Sequence, residues 1–189
     1  MSELFNKVQK FIKEYFKEHG FERQIKHLER TVYWVKKLKP NADEAFLIAA
    51  LSHDIQTASR WKELQKEISK TRFIDKERLE EHQREGARII GKFLEKQGAS
   101  SELINRVKLL VSKHEEGGTR DQNLLKDADS ISFFENNIQT FLERVKDVGK
   151  EKIREKFDWM YNRITSEEVR DIVRPWYQKA INDLEKISK

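Results

Sequence analysis

Apolar residues recur at steps of three and four along most of the chain, and clean two-residue alternation is absent. This pattern predicts an all-α protein. A first helix is expected through ELFNKVQKFIKEYFKEHG, stopping at Gly20, the residue type that follows many helix ends. A second carries Ile25, Leu28, Val32, Val35 and Leu38 on one stripe and ends before Pro40. A third is expected to begin at NADE, with Asn41 as its cap and Glu44 reaching back. From Phe46 to Leu51 that helix is apolar on every side, which marks it as buried. Residues 55–77 are polar and irregular and read as a short helix plus a surface loop, anchored by Trp61 and Phe73. Helical spacing resumes with Leu79, Ile89, Ile90 and Phe93, and again with Leu103, Val107, Leu110 and Val111. EEGGTR breaks the chain, NLLKDADSISFFE forms the next helix, and the tail from about Gln139 holds further amphipathic helices. In that tail Thr165 and Glu168 are expected to form a capping box, and Pro175 to kink or split the last helix.

Composition narrows the picture. A chain of 189 residues is long enough to enclose a core as one domain. With 37% hydrophobic and 38% charged residues, most helices should carry strongly charged outer faces. The net charge of +5 is small against 38 basic and 33 acidic residues. It favours a mixed solvated surface over a nucleic-acid patch, and it suits an anionic substrate. The absence of cysteine excludes disulfides and thiolate metal sites. No apolar stretch approaches a membrane span and the first residues are too charged for a secretory signal, so a cytoplasmic protein without a membrane partner is expected.

The chemistry concentrates in the histidines, of which there are five. His19 precedes a helix-ending glycine, where a histidine favours the carbonyl end of the helix. The others are aimed at the core or brought to it. His27 flanks the apolar face of its helix, and His53 ends the buried helix and is followed by Asp54. His82 continues the stripe of Leu79, Gly86, Ile89 and Phe93, and His114 that of Leu103, Val107, Leu110 and Val111. A single core histidine is usually a packing residue, but four of them together with Asp54 and the pair Asp127 and Asp129 form a different pattern. A buried carboxylate is costly unless compensated, and a divalent cation removes that cost. Imidazole and carboxylate suit Mn, Fe or Zn.

The order of His27, the His53–Asp54 doublet and a later Asp resembles the HD-domain superfamily of metal-dependent phosphohydrolases. KHLERTVYWVKKL looks like that family's first ligand helix, EAFLIAALSHDI like its signature helix and LLKDADSISFF like its last ligand helix. The resemblance covers roughly residues 20–135, a helical core, with an extension over 138–189. It implies Asp129 as the last ligand, a choice the helical wheel leaves open between Asp127 and Asp129. His82 in EEHQREGARIIGKFL and His114 in LLVSKHEEGG resemble the extra histidines of the dinuclear members. By that resemblance His27, His53, Asp54 and Asp129 hold one metal, while Asp54, His82 and His114 hold a second, giving one or two ions of Mn, Fe, Ni, Co or Zn. Two departures stand out. Gln56–Thr57 replaces a Gly-Lys pair found in many members, which argues against cyclic-dinucleotide chemistry. Ser130 replaces the arginine that often follows the last Asp, which bears on local packing.

The implied reaction is hydrolysis of a phosphoester of a nucleotide or another small phosphorylated metabolite by metal-activated water, with Asp54 and His53 central to it. Arg30, one turn after His27, and Arg60, beyond the doublet, are the expected substrate-binding cations, with Lys126 a further possibility. Trp61 could stack a base or pin the loop. The six ligands would equally permit a dinuclear-iron oxygenase, which would consume oxygen. A helical module binding nucleic acid through its basic excess would leave the histidines without a shared role.

Overall fold

The computed structural model describes residues 2–67 and 74–187. Among them every regular element is helical, and no helix is long and apolar enough to cross a membrane. Phe73, expected as an anchor, lies outside the described residues.

Local chemistry sets the boundaries. Helix α1 (Glu3–Glu18) is capped by the Ser2 hydroxyl, which accepts the Phe5 amide, and it buries Phe5, Val8, Ile12 and Phe16. It ends as expected. The His19 ring donates from Nδ1 to the Tyr15 carbonyl, and Gly20 takes φ +69°. A 3-10 turn (Glu22–Gln24) leads into α2 (Ile25–Leu38). Helix α3 (Glu44–Ser52) is buried on all sides, as its sequence predicts, but its cap is Asp43, whose carboxylate accepts the Phe46 amide, and not Asn41. Helix α4 (Ile55–Glu67) is longer than expected, because Ile55, Gln56 and Ala58 turn into the core. Then come α5 (Lys76–Lys96), α6 (Ser101–Val111) and α7 (Arg120–Asn136), the last with a reciprocal Thr119–Gln122 capping box. The tail holds α8 (Ile138–Glu143), α9 (Val145–Val148), α10 (Lys150–Asn162) and α11 (Glu167–Lys186). The cap of α11 is Ser166 and not Thr165, whose amide and hydroxyl are taken by Asp127. Assigned as one helix, α11 runs through Pro175 without being split.

Helix α7 is the spine. Every residue from Leu125 to Phe134 is buried. Its first half joins a core built with α1 to α6, and its second half joins another with α8 to α11, while Trp34 and Leu38 of α2 pack against both. An antiparallel or parallel neighbour on each side would ordinarily demand apolar residues all round, yet this stretch contains Lys126, Asp127, Asp129, Ser130 and Ser132. Buried polar groups must find partners. The Ser132 hydroxyl donates to the His27 carbonyl at 2.7 Å, and the Ser130 hydroxyl to the Lys126 carbonyl at 3.0 Å. The two carboxylates are directed to opposite sides, and that division defines the site.

Candidate metal centre and its cavity

The side chains converge because five helices deliver them. Helix α2 carries His27, the end of α3 carries His53 and Asp54, α5 carries His82, the turn after α6 carries His114, and α7 carries Asp129. In three of the histidines Nδ1 is occupied by an acceptor: the Ala50 carbonyl for His53 (2.9 Å), the Val111 carbonyl for His114 (2.8 Å) and Gln56 Oε1 for His82 (2.8 Å). An Nδ1–H donated outward fixes the tautomer whose Nε2 lone pair faces the centre. All four Nε2 atoms, that of His27 included, point at Asp54 or Asp129.

Asp54 lies between two groups. Its Oδ2 is 3.9 Å from His27 Nε2 and 3.8 Å from His53 Nε2, and its Oδ1 is 3.1 Å from His82 Nε2 and 3.7 Å from His114 Nε2. Asp129 Oδ1 is 3.0 Å from His27 Nε2 and 3.4 Å from His53 Nε2. Two sets, His27–His53–Asp54 and Asp54–His82–His114, each bring their ligand atoms within 4.8 Å of one another. Donors about 2.1 Å from a shared cation stand about 3.0 to 3.4 Å apart in octahedral or tetrahedral coordination, so these spacings are close to a ligand shell. Two further observations fit a cation. The Nε2 atoms of His27 and His53 face each other at 3.3 Å, and buried His114 Nε2 has no hydrogen-bond partner among the described residues. Clustered His and Asp side chains here could hold a metal ion.

Electrostatics follow from the same crowding. Burial opposes the charged form of His53, but Asp54 and Asp129 outweigh it and raise its pKa to about 9. Burial opposes ionisation of Asp54 too, and the surrounding histidines, His53 first, hold its carboxyl well below the usual range. Asp129 is likewise buried and is held well below that range by Arg163, then by His53 and His27.

The structure separates the two aspartates of α7. Asp129 faces the histidines. Asp127 turns away and accepts the amides of Thr165 and Ser166 and the Thr165 hydroxyl, at 2.8 to 2.9 Å, which fastens the start of α11. Behind Asp129, Arg163 at the end of α10 pairs with Asp129 and Glu115 and donates from Nε to the Ser130 hydroxyl at 3.0 Å. A guanidinium thus reaches Asp129 from 34 residues downstream in the chain. Gln24 donates to Asp54 Oδ2 at 2.8 Å, and Gln83 fixes the Glu115 amide at 2.9 Å.

The DUF4202 family, described as a domain of unknown function, matches residues 10–179. The chain belongs to it. No curated protein and no solved structure matches the chain. The matched span includes α10 and most of α11, so Arg163 and Asp127's partners lie inside the DUF4202 region together with all six His and Asp residues.

Above the DUF4202 centre opens a cavity of about 230 Å³ whose floor includes His27, Asp54, His82 and Asp129. Arg60 lines it, paired with Glu63 and Glu81 at 3.4 Å. Arg30 does not line it. Glu135 holds that guanidinium in two hydrogen bonds of 2.7 and 2.8 Å, so the expected substrate role has no support in its placement. Lys126 does not line it either; its ammonium donates to the Glu116 carbonyl. Trp61 reaches the wall and stacks on Phe21 with centroids 3.9 Å apart. Sequence reasoning missed Arg23, Arg144 and Lys156 on the wall. Nothing local marks those three in a chain so rich in basic residues. Gln24, one turn before His27 on the same face, was the legible one.

Proposed function

We propose that the protein is a metal-dependent phosphohydrolase of the HD-domain type, which cleaves a phosphoester of a nucleotide or other small phosphorylated metabolite. The observation that carries this reading is the position of Asp54, with one oxygen toward His27 and His53 and the other toward His82 and His114, at the floor of a cavity walled by cations. His27, His53, Asp54 and Asp129 would hold one ion, and Asp54, His82 and His114 a second. Bound there, a divalent ion supplies a water acidic enough to act near neutral pH and an electrophile for a phosphoryl oxygen. The chain's own groups do the rest. Ala50, Val111 and Gln56 keep the imidazoles oriented, Arg163 holds Asp129 ionised, and Gln24 steadies Asp54. Lys156, half-buried on the wall over Trp159, has its pKa lowered by burial and makes no ion pair with a described residue; it is a cation available to a phosphate entering the cavity.

The test is elemental analysis of the purified protein combined with anaerobic assay on nucleotides, sugar phosphates and simple phosphomonoesters, with Mn²⁺ added. Phosphate release that is lost in Asp54→Ala together with the metal is the expected result. Full metal content in that variant, or oxygen uptake in place of hydrolysis, would overturn the reading and in the second case favour a dinuclear-iron oxygenase.

A further inference from the structure

The cavity has two kinds of lining. The floor is the His/Asp cluster. Another part of the wall brings together Phe21, Arg23, Trp61 and Arg144, from the turn before α2, from α4 and from the end of α8. The Arg23 guanidinium lies 4.7 Å from the centroid of Trp61 and 5.4 Å from that of Phe21, and the Arg144 guanidinium 5.7 Å from Trp61. Neither arginine makes a hydrogen bond or an ion pair with a described residue. Arg144 is half-buried, and burial and then the Arg23 charge lower its pKa. Two like charges side by side against an aromatic stack, one of them partly out of water, are costly without an anion. Every carboxylate on the cavity wall is engaged elsewhere: Asp54 and Asp129 by histidines, Glu115 by Arg163. Among the described residues the cavity-wall carboxylates leave the arginine pair unpaired, and the nearby Asp147 charge only partly offsets the lowering of the Arg144 pKa.

We propose that Arg23 and Arg144 form a second oxyanion site beside the Trp61–Phe21 stack, so that the substrate carries a further phosphate or carboxylate besides the group at the bond that is cleaved. Two guanidiniums recognise an oxyanion by paired N–H donors, and the aromatic surface beside them suits a flat ring between the two anionic ends. This rests on the phosphohydrolase reading only for which end is cleaved; the second site stands or falls by binding.

The probes are phenyl phosphate, 4-carboxyphenyl phosphate and 1,4-phenylene bisphosphate, titrated calorimetrically against the full chain, both metal-loaded and after chelation. At least one doubly anionic probe should bind tenfold or more tighter than phenyl phosphate, in both metal states. Comparison of the carboxylate with the bisphosphate tells which oxyanion is preferred. The preference should vanish in Arg23→Gln/Arg144→Gln with metal content unaltered, and return in part with the paired lysine substitutions. Equal binding of all three probes, no binding of any, or a preference that survives the double variant would overturn the site. A preference that is present and arginine-dependent, with no phosphate released from the probes or from nucleotides, sugar phosphates and simple phosphomonoesters with Mn²⁺, would refute the phosphohydrolase reading and leave the second oxyanion site intact.

Discussion

Asp127 and Asp129 stand two residues apart on one helix and do unlike things, and that contrast is open to test. Asp129→Asn removes a charge facing His27 and His53, so metal content should fall while the fold persists. Asp127→Asn should keep the metal. It weakens the bonds to the Thr165 and Ser166 amides and should cost about 1–3 kcal/mol, read as a lower urea midpoint. The imidazole of His53 gives a second outcome. Its folded pKa of about 9 exceeds the ordinary 6.5, so the stability it contributes is complete below pH 6.5 and is lost as pH rises toward 9. The metal-free protein should therefore unfold at lower urea at pH 9 than at pH 6.5. Metal must displace that proton, so binding near pH 7.5 should release protons, in an amount visible as a buffer-dependent calorimetric heat. At this scale the sequence was informative where a residue broke an apolar pattern, as the four histidines did. It could not choose between the two aspartates, since both flank the same stripe and only the partner helices separate them.

Between elements, the contact that matters most is the approach of α5 to the end of α3. A Cβ on Gly86 would sit 3.3 Å from the His53 carbonyl oxygen and 3.5 Å from Val111 Cγ1. The glycine lets α5 come close enough for His82, one turn earlier, to reach Asp54. Gly86→Val should push α5 outward, lower the second metal's occupancy while the first persists, and destabilise by about 1–3 kcal/mol. Elemental analysis beside an unfolding curve would check both. Helices were read well where one apolar face sufficed, as in α1 and α2, or where every side was apolar, as in α3. Helix α7 was placed by its sequence but its centrality was hidden, because Lys126, Asp127, Asp129, Ser130 and Ser132 look like a solvated face and are buried through partners contributed by α2, by the turn before α7, by the end of α10 and by the start of α11. The caps of α3 and α11 were each misplaced by one or two residues, since several neighbouring polar side chains qualified and only the folded geometry chooses.

For the whole molecule, ion binding to a site absent from the unfolded chain adds directly to stability. At a hundredfold excess over Kd one ion contributes about 2.7 kcal/mol. In a protein of this size that corresponds to a rise in Tm of roughly 5–11 °C. Calorimetric scans with and without Mn²⁺ should show it, and Asp54→Ala should show no rise. The all-helical class was legible from periodicity, and His27, His53, Asp54, His82 and His114 from their placement at helix stripes and ends, whereas Asp129 came from the resemblance alone. The basic wall was not, because Arg23, Arg144 and Lys156 are far apart in sequence and become neighbours of one cavity only through packing.

The Arg163 link also has a meaning in time. On the ribosome the chain is made from its N-terminus, so all six His and Asp residues have been made before Arg163, which comes 34 residues after Asp129. Until then Asp129 and Glu115 lack the guanidinium that compensates both in the finished structure. A nascent chain halted just past Asp129 has its ligands but not the group that holds Asp129 and Glu115 ionised and in place, and α7 has none of the helices that cover its second face. Completion of the centre is thereby deferred until Arg163 has been made, and a metal captured earlier would meet a looser and less selective set of side chains than the finished structure offers.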